Sequence, residues 1–226
     1  MKTSKKIFII FFSLLGLFLL SLLIQIDPNK QKSQFEEKEI TFPPFEHLVL
    51  FNCGKIDLQE GSSNTAWNTV VSDSLAQMPE YELKSDTLVL SWTQDENSLN
   101  RTIYCKNLRS ISIENSKIHI YNLHVDSLSC YAVNGVINYD VNHTTTDSHT
   151  LEMLQIKLEQ NSLVNVNGRG AKFIEADISQ SIADIRLTQT DTLKATLRNN
   201  SNLSTYHVLK TEVDSDASSR YFSREN

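Results

Sequence analysis

Through the second half of the chain, runs of alternating apolar residues are interrupted at near-constant intervals by a polar pair, usually Asn-Ser. Asn115-Ser116, Asn134-Gly135, Asn161-Ser162, Gln180-Ser181 and Asn200-Ser201 follow one another at 19, 27, 19 and 20 residues. That interval is one coil of a solenoid, longer than a helical or hairpin repeat. Residues 154–158 can be laid on 174–178, 193–197 and 209–213, with 128–130 and 111–113 opening earlier rungs in the same way. Alternate side chains of a strand share a face. One inward column is therefore expected to read Cys130, Ile156, Ala176, Ala195, small enough for a narrow interior. On the outside, the alignment sets Lys157 against Asp177, Glu175 against Lys194 and Arg198 against Asp214, all opposite in charge.

Asn is the residue other than Gly that best tolerates a left-handed backbone, and its amide can bond to a nearby turn. The chain has 19 Asn and only 6 Gly, so the polar pairs are read as corners of the coil. The interval of 27 residues carries an extra polar stretch, 142–149, with Asn142, His143, Asp147 and His149. Solenoids place such insertions on one face, often a binding face, and this bulge is a candidate interaction site.

The front of the chain sets a different constraint. Lys2, Lys5 and Lys6 precede residues 7–26, an apolar run whose polar members are Ser13, Ser21 and Gln25. Twenty such residues are long enough to span a bilayer as a helix and exceed the usual signal-peptide core. The expectation is a cytoplasmic tail at 1–6, an uncleaved transmembrane anchor at 7–26, a stalk at 27–45, an irregular β cap at 46–106 and rungs at 107–226. Lysines that stay inside place the bulk of the chain outside the cytoplasmic membrane. Beyond the anchor, 18 basic and 27 acidic side chains give a net charge of −9. Long-range attraction to nucleic acid is thereby disfavoured.

From His47 to about Phe222 the chain resembles the auto-transporter adhesin head domain of Bacteroidetes envelope proteins. The matching stretches are residues 86–90, residues 107–113 and the rungs already aligned. The resemblance implies an all-β fold, a right-handed parallel β-solenoid of about 20-residue rungs, exported from the cytoplasm, with no catalytic residues to carry over.

Residues that could carry chemistry are few. Histidines 47, 119, 124, 143, 149 and 207 form no HExxH, and CxxC is absent, so no metal or cofactor is assigned; His143, Asp147 and His149 are read as solvated loop residues. Cys53, Cys105 and Cys130 are odd in number; a Cys53–Cys105 disulfide is left open, and Cys130 is read as packing. Gly168-Arg169-Gly170 is too short for a phosphate loop and is read as a turn. Four tripeptides, beginning at Asp73, Asp86, Asp126 and Asp191, resemble the O-glycosylation acceptor of exported Bacteroidetes proteins, with Ser74, Thr87, Ser127 and Thr192 as acceptors. The plainer reading is that they turn the chain into a strand.

The functional expectation is a non-catalytic envelope protein that presents its rungs as a binding, adhesion or assembly surface. Its partners would be the membrane, an envelope protein or glycan, and a second copy at the ends of the stack. A carbohydrate-active enzyme on a parallel β-helix is the alternative, with Tyr131, Tyr139 and Tyr206 as the aromatics nearest the rungs.

Overall fold

The computed structural model describes residue 15 and residues 35–71, 79–92, 98–141 and 150–224. The basic tail, the anchor apart from Leu15, residues 27–34 of the stalk, Ser74 and the bulge at 142–149 lie outside the described residues. Among the described residues, no helix is long and apolar enough to cross a membrane. The chain divides into a unit of Met1–Glu36 and a unit of Glu37–Asn226, and the architecture that follows is the second unit's.

Its described part is all-β. In chain order the strands are β1 (Phe35–Thr41), β2 (His47–Phe51), β3 (Lys55–Glu60), β4 (Thr65–Val71), β5 (Glu80–Lys84), β6 (Thr87–Ser91), β7 (Ser98–Cys105), β8 (Ser110–Glu114) and β9 (Lys117–Tyr121). There follow β10 (Ser127–Val133), β11 (Val136–Val141), β12 (Leu151–Glu159), β13 (Leu163–Ser179), β14 (Ile182–Arg198), β15 (Asn202–Tyr206), β16 (Val208–Ser215) and β17 (Arg220–Arg224). They build two parallel ladders. The first runs β6, β2, β8, β10, β12, the second halves of β13 and β14, then β16. The second runs β7, β3, β9, β11, the first halves of β13 and β14, then β15 and β17. Each coil of chain therefore gives one strand to each ladder.

Alternation explains the packing. Leu128, Leu154, Ile174 and Leu193 stack inward as Cα partners on successive coils and are almost wholly buried. Beside them the expected small column is present as Cys130, Ile156, Ala176 and Ala195. On the second ladder Ile118, Ile137, Val164, Ala183 and Leu203 do the same.

The corners are made by the polar pairs. Asn115, Asn134, Asn161, Gln180 and Asn200 all have left-handed backbones, with φ from 48° to 64°. A serine follows four of these turns and Gly135 the fifth; Ser116, Ser162, Ser181 and Ser201 are buried, and each hydroxyl bonds twice. Ser116 Oγ donates to Glu114 O at 2.8 Å and accepts the Cys53 amide at 2.9 Å. Ser181 Oγ donates to Ser179 O at 2.8 Å and accepts the Ser162 amide at 3.1 Å. A hydroxyl thus satisfies a buried carbonyl on its own coil and a buried amide on the next. Asn side chains add a second ladder outside: Asn134 Nδ2 donates to Asn115 Oδ1 at 2.7 Å, and Asn115 Nδ2 to Asn52 Oδ1 at 3.1 Å.

Three features differ from the alignment made on sequence. Ile111 stands opposite Cys130, not Leu128. Leu193 stands opposite Thr211, not Leu209, and Leu209 is 76% exposed. At the last layer the inward places pass from Leu193, Ala195 and Leu197 to Thr211, Val213 and Ser215. That layer is covered on one side only, so hydroxyls there can reach water, as terminal repeats require. Residues 46–106, expected as an irregular cap, supply two regular coils as well as two strands outside them. The coil of β6 and β7 lies outside that of β2 and β3, reversing chain order, and β5 and β4 pair antiparallel to its two strands. β1 pairs in turn with β4.

Candidate binding face

Because equivalent residues sit one strand spacing apart, outward side chains of the first ladder form columns. One reads His47, Ser110, Ser129, Gln155, Glu175 and Lys194; the next reads Ser112, Tyr131, Lys157, Asp177 and Thr196. Hydrogen bonds run along the first column. His47 Nδ1 lies 2.6 Å from Ser110 Oγ, Ser129 Oγ donates to Gln155 Oε1 at 2.7 Å, and Gln155 Nε2 donates to Glu175 Oε2 at 3.1 Å.

Between the columns, from Ser110 to Lys194, runs an open groove of about 480 Å³. It crosses five strands, about 19 Å at the usual spacing. Glu175 and Asp177 lie on its fourth strand, with Lys157 and Lys194 on the strands to either side. Tyr131 is the aromatic of the groove. Its hydroxyl donates to Glu159 Oε2 at 3.2 Å and its ring lies 5.3 Å from Lys157 Nζ. Burial, then the Glu159 charge, raises the Tyr131 pKa, which keeps the phenol a donor. Lys157 is held protonated by its bond to Glu159 at 3.1 Å. The groove therefore offers hydroxyl, amide, ammonium and carboxylate groups in rows, with balanced charge.

The second ladder's outward face is more self-contained. Asn165 Nδ2 donates to Asn138 Oδ1 at 2.8 Å, His119 Nε2 pairs with Asp140 Oδ2 at 2.8 Å, and Asn167 Nδ2 donates to Asp140 Oδ1 at 3.1 Å. Arg186 bonds Asp184 through Nε at 2.8 Å. Its polar groups face one another along the stack.

Of the expected outward pairs, Lys157 and Asp177 are Cα partners, as are Glu175 and Lys194. Arg198 and Asp214 form an ion pair of 2.5 Å, reached diagonally because Thr196 is the Cα partner of Asp214. Thr87, Ser127 and Thr192 each precede a buried leucine, Leu88, Leu128 and Leu193, where the chain turns into the first ladder. The Asp86 carbonyl accepts the amides of Glu46 and His47, and that of Asp126 accepts those of Glu152 and Met153. Tyr139 is buried inward and Tyr206 lies at the far end, its hydroxyl accepting from Arg224 at 2.8 Å. Cys53, Cys105 and Cys130 are free and buried. Cys53 takes the serine's place in the first corner, its Sγ 3.5 Å from Phe51 O. Gly168 bends β13 at φ 140°, where an added Cβ would lie 2.2 Å from Val141 O.

Two solved structures have this architecture. One, described as a "putative adhesin" from Parabacteroides distasonis ATCC 8503, superposes with a TM-score of 0.61 over 86% of this chain and 96% of its own, at 12% identity. Another, described in the same words and from Bacteroides fragilis NCTC 9343, gives 0.60 over 87% and 98%, at 16% identity. The chain has the fold of these adhesin structures. No protein-family model and no curated protein matches the sequence. The adhesin fold agrees with the resemblance read from residues 86–90, residues 107–113 and the rungs.

Proposed function

We propose that this is a membrane-anchored, non-catalytic envelope protein whose β-solenoid binds an extended polar ligand, a glycan or a peptide strand, for adhesion or assembly. The observation that carries the reading is the groove on the first ladder, where donors and acceptors repeat at the strand spacing over five coils. The adhesin descriptions of the two structural neighbours support it. The coil is taken as right-handed, because crossovers between parallel strands almost always are. Residues 7–26 serve as the anchor, with residues 1–6 in the cytoplasm and the solenoid outside the cytoplasmic membrane; the run's length and Lys2, Lys5 and Lys6 support this. Ser74, Thr87, Ser127 and Thr192 remain the proposed O-glycosylation acceptors, and the bulge with Asn142, His143, Asp147 and His149 a second proposed contact. Addition of a second copy at the end of the stack is the lesser reading, because Thr211 and Ser215 make that last layer polar.

Crosslinking with mass spectrometry in native envelopes, with turnover of envelope polysaccharide followed in parallel, tests the proposal. The expected result is crosslinks to a partner concentrated on Lys157 and Lys194 rather than on Lys55 and Lys117 of the second ladder, with no glycan consumed. Glycan consumption that depends on this protein would contradict it and favour the enzyme reading.

A further inference from the structure

We propose that Glu46, His47 and Asp86 form a binding site for a divalent transition metal ion, zinc foremost. Asp86 and Glu46 occupy equivalent places on neighbouring coils, because His47 is the Cα partner of Thr87. Two acids side by side across a ladder repel each other. Arg109 offsets one of them, its Nε 2.9 Å from Glu46 Oε2, and a carboxylate has a second oxygen to offer. Asp86 is turned toward the imidazole instead, with His47 Nε2 3.5 Å from Asp86 Oδ2.

That separation is informative. An N–H···O hydrogen bond would be about 2.7–3.2 Å, whereas two donors each about 2.05 Å from a tetrahedral zinc lie about 3.3 Å apart. One donor atom from each of the three residues falls within 4.8 Å of the others. The imidazole is also oriented from behind: Nδ1 lies 2.6 Å from Ser110 Oγ. When Nδ1–H donates to that hydroxyl, Nε2 carries the lone pair and faces Asp86, the outer-shell arrangement usual for ligating histidines. The backbone holds the cluster in place, since Glu46 N and His47 N donate to Asp86 O at 2.9 and 3.1 Å.

Glu46 and Asp86 also line a cavity of about 560 Å³ beside Phe42, Phe45, Asn64 and Lys106. Three protein donors leave a position open, so a ligand in that cavity could complete the coordination. One imidazole and two carboxylates suit zinc and its first-row neighbours better than an all-oxygen calcium cage.

The test is calorimetric titration of the full-length chain, purified in detergent and stripped with chelator, with zinc chloride alone. The expected result is a saturable site that His47→Gln and Asp86→Asn each weaken at least tenfold, while His119→Gln on the second ladder leaves it unchanged. Zinc should also raise the melting temperature of the parent chain and of His119→Gln but not of Asp86→Asn, an exposed, isosteric change that decides the matter if His47→Gln does not fold. No saturable binding, equal binding in Asp86→Asn, or binding of calcium or magnesium but not zinc would overturn the assignment.

Discussion

Each corner depends on a few atoms. Ser201 is fully buried, with its hydroxyl 2.8 Å from Ile178 O and 2.5 Å from Arg198 O, and its amide donates to Ser219 Oγ at 3.1 Å. Ser201→Ala removes the donor and strands a buried carbonyl, so it should cost about 1–3 kcal/mol by chemical denaturation. Burial is the largest influence on each thiol: with the Glu60 charge it pushes Cys105 up to about 12, by itself it pushes Cys130 up to about 12, and it raises Cys53 against the hydrogen bonds that lower it. At neutral pH the reactive thiolate is scarce. Maleimide should therefore leave all three unlabelled in the folded chain and label all three after denaturation; fast labelling of the native protein would contradict the packing. At this scale the sequence was legible where conformation is intrinsic to the residue, as with the left-handed Asn corners. The role of Cys53 was legible in principle, since Asn52-Cys53 repeats the place of Asn115-Ser116. Glu46, His47 and Asp86 were not, because a ladder register, rather than spacing along the chain, brings position 86 beside positions 46 and 47.

At the level of strands, the question is which side of each rung faces in. Leu193 is buried without exposure and Leu209 is 76% exposed, although both begin the same apolar pattern. Leu193→Ala should cost about 2–5 kcal/mol and Leu209→Ala less than about 0.5 kcal/mol; equal losses in denaturation midpoint would restore the alignment drawn from sequence. One physical cause puts that alignment out of register. A slip of two residues keeps every side chain on its own face, so alternation cannot distinguish Ile111 from Ile113 as the partner of Cys130. The same slip of two sets Leu193 opposite Thr211 in place of Leu209. The last turn, between β16 and β17, has its own sensitivity. The Asp216 carboxylate accepts the Asn199 amide at 2.7 Å, the Ser218 amide at 3.1 Å and the Ser218 hydroxyl at 2.8 Å. These bonds, the Asn199 amide foremost, hold its pKa far below the ordinary value. A lowered folded pKa stabilises above the unfolded value, about 3.9, and the benefit fades as pH falls through and below it. The stability advantage of the parent chain over Asp216→Asn should be full at pH 7 and shrink below about pH 4; an advantage constant down to pH 2 would rule this out.

Across the whole molecule, one stack supports two unlike faces. On the second ladder Asn165 bonds to Asn138 and Asn167 to Asp140 along the coils, while the first ladder leaves a groove that runs from Ser110 through Gln155 to Lys194. The difference arises because the inward columns fix only burial, leaving the outward ones free to carry recognition. The measurement that bears most directly on the binding face is site-specific photo-crosslinking in native envelopes. The photoreactive residue is placed at Gln155, in the groove, or at Asn165, on the opposite ladder. Capture of a partner from position 155, competed by excess unlabelled protein and absent from position 165, is the predicted result. Equal capture from both positions, or capture from 165 alone, would contradict the assignment of the first ladder as the surface this protein presents.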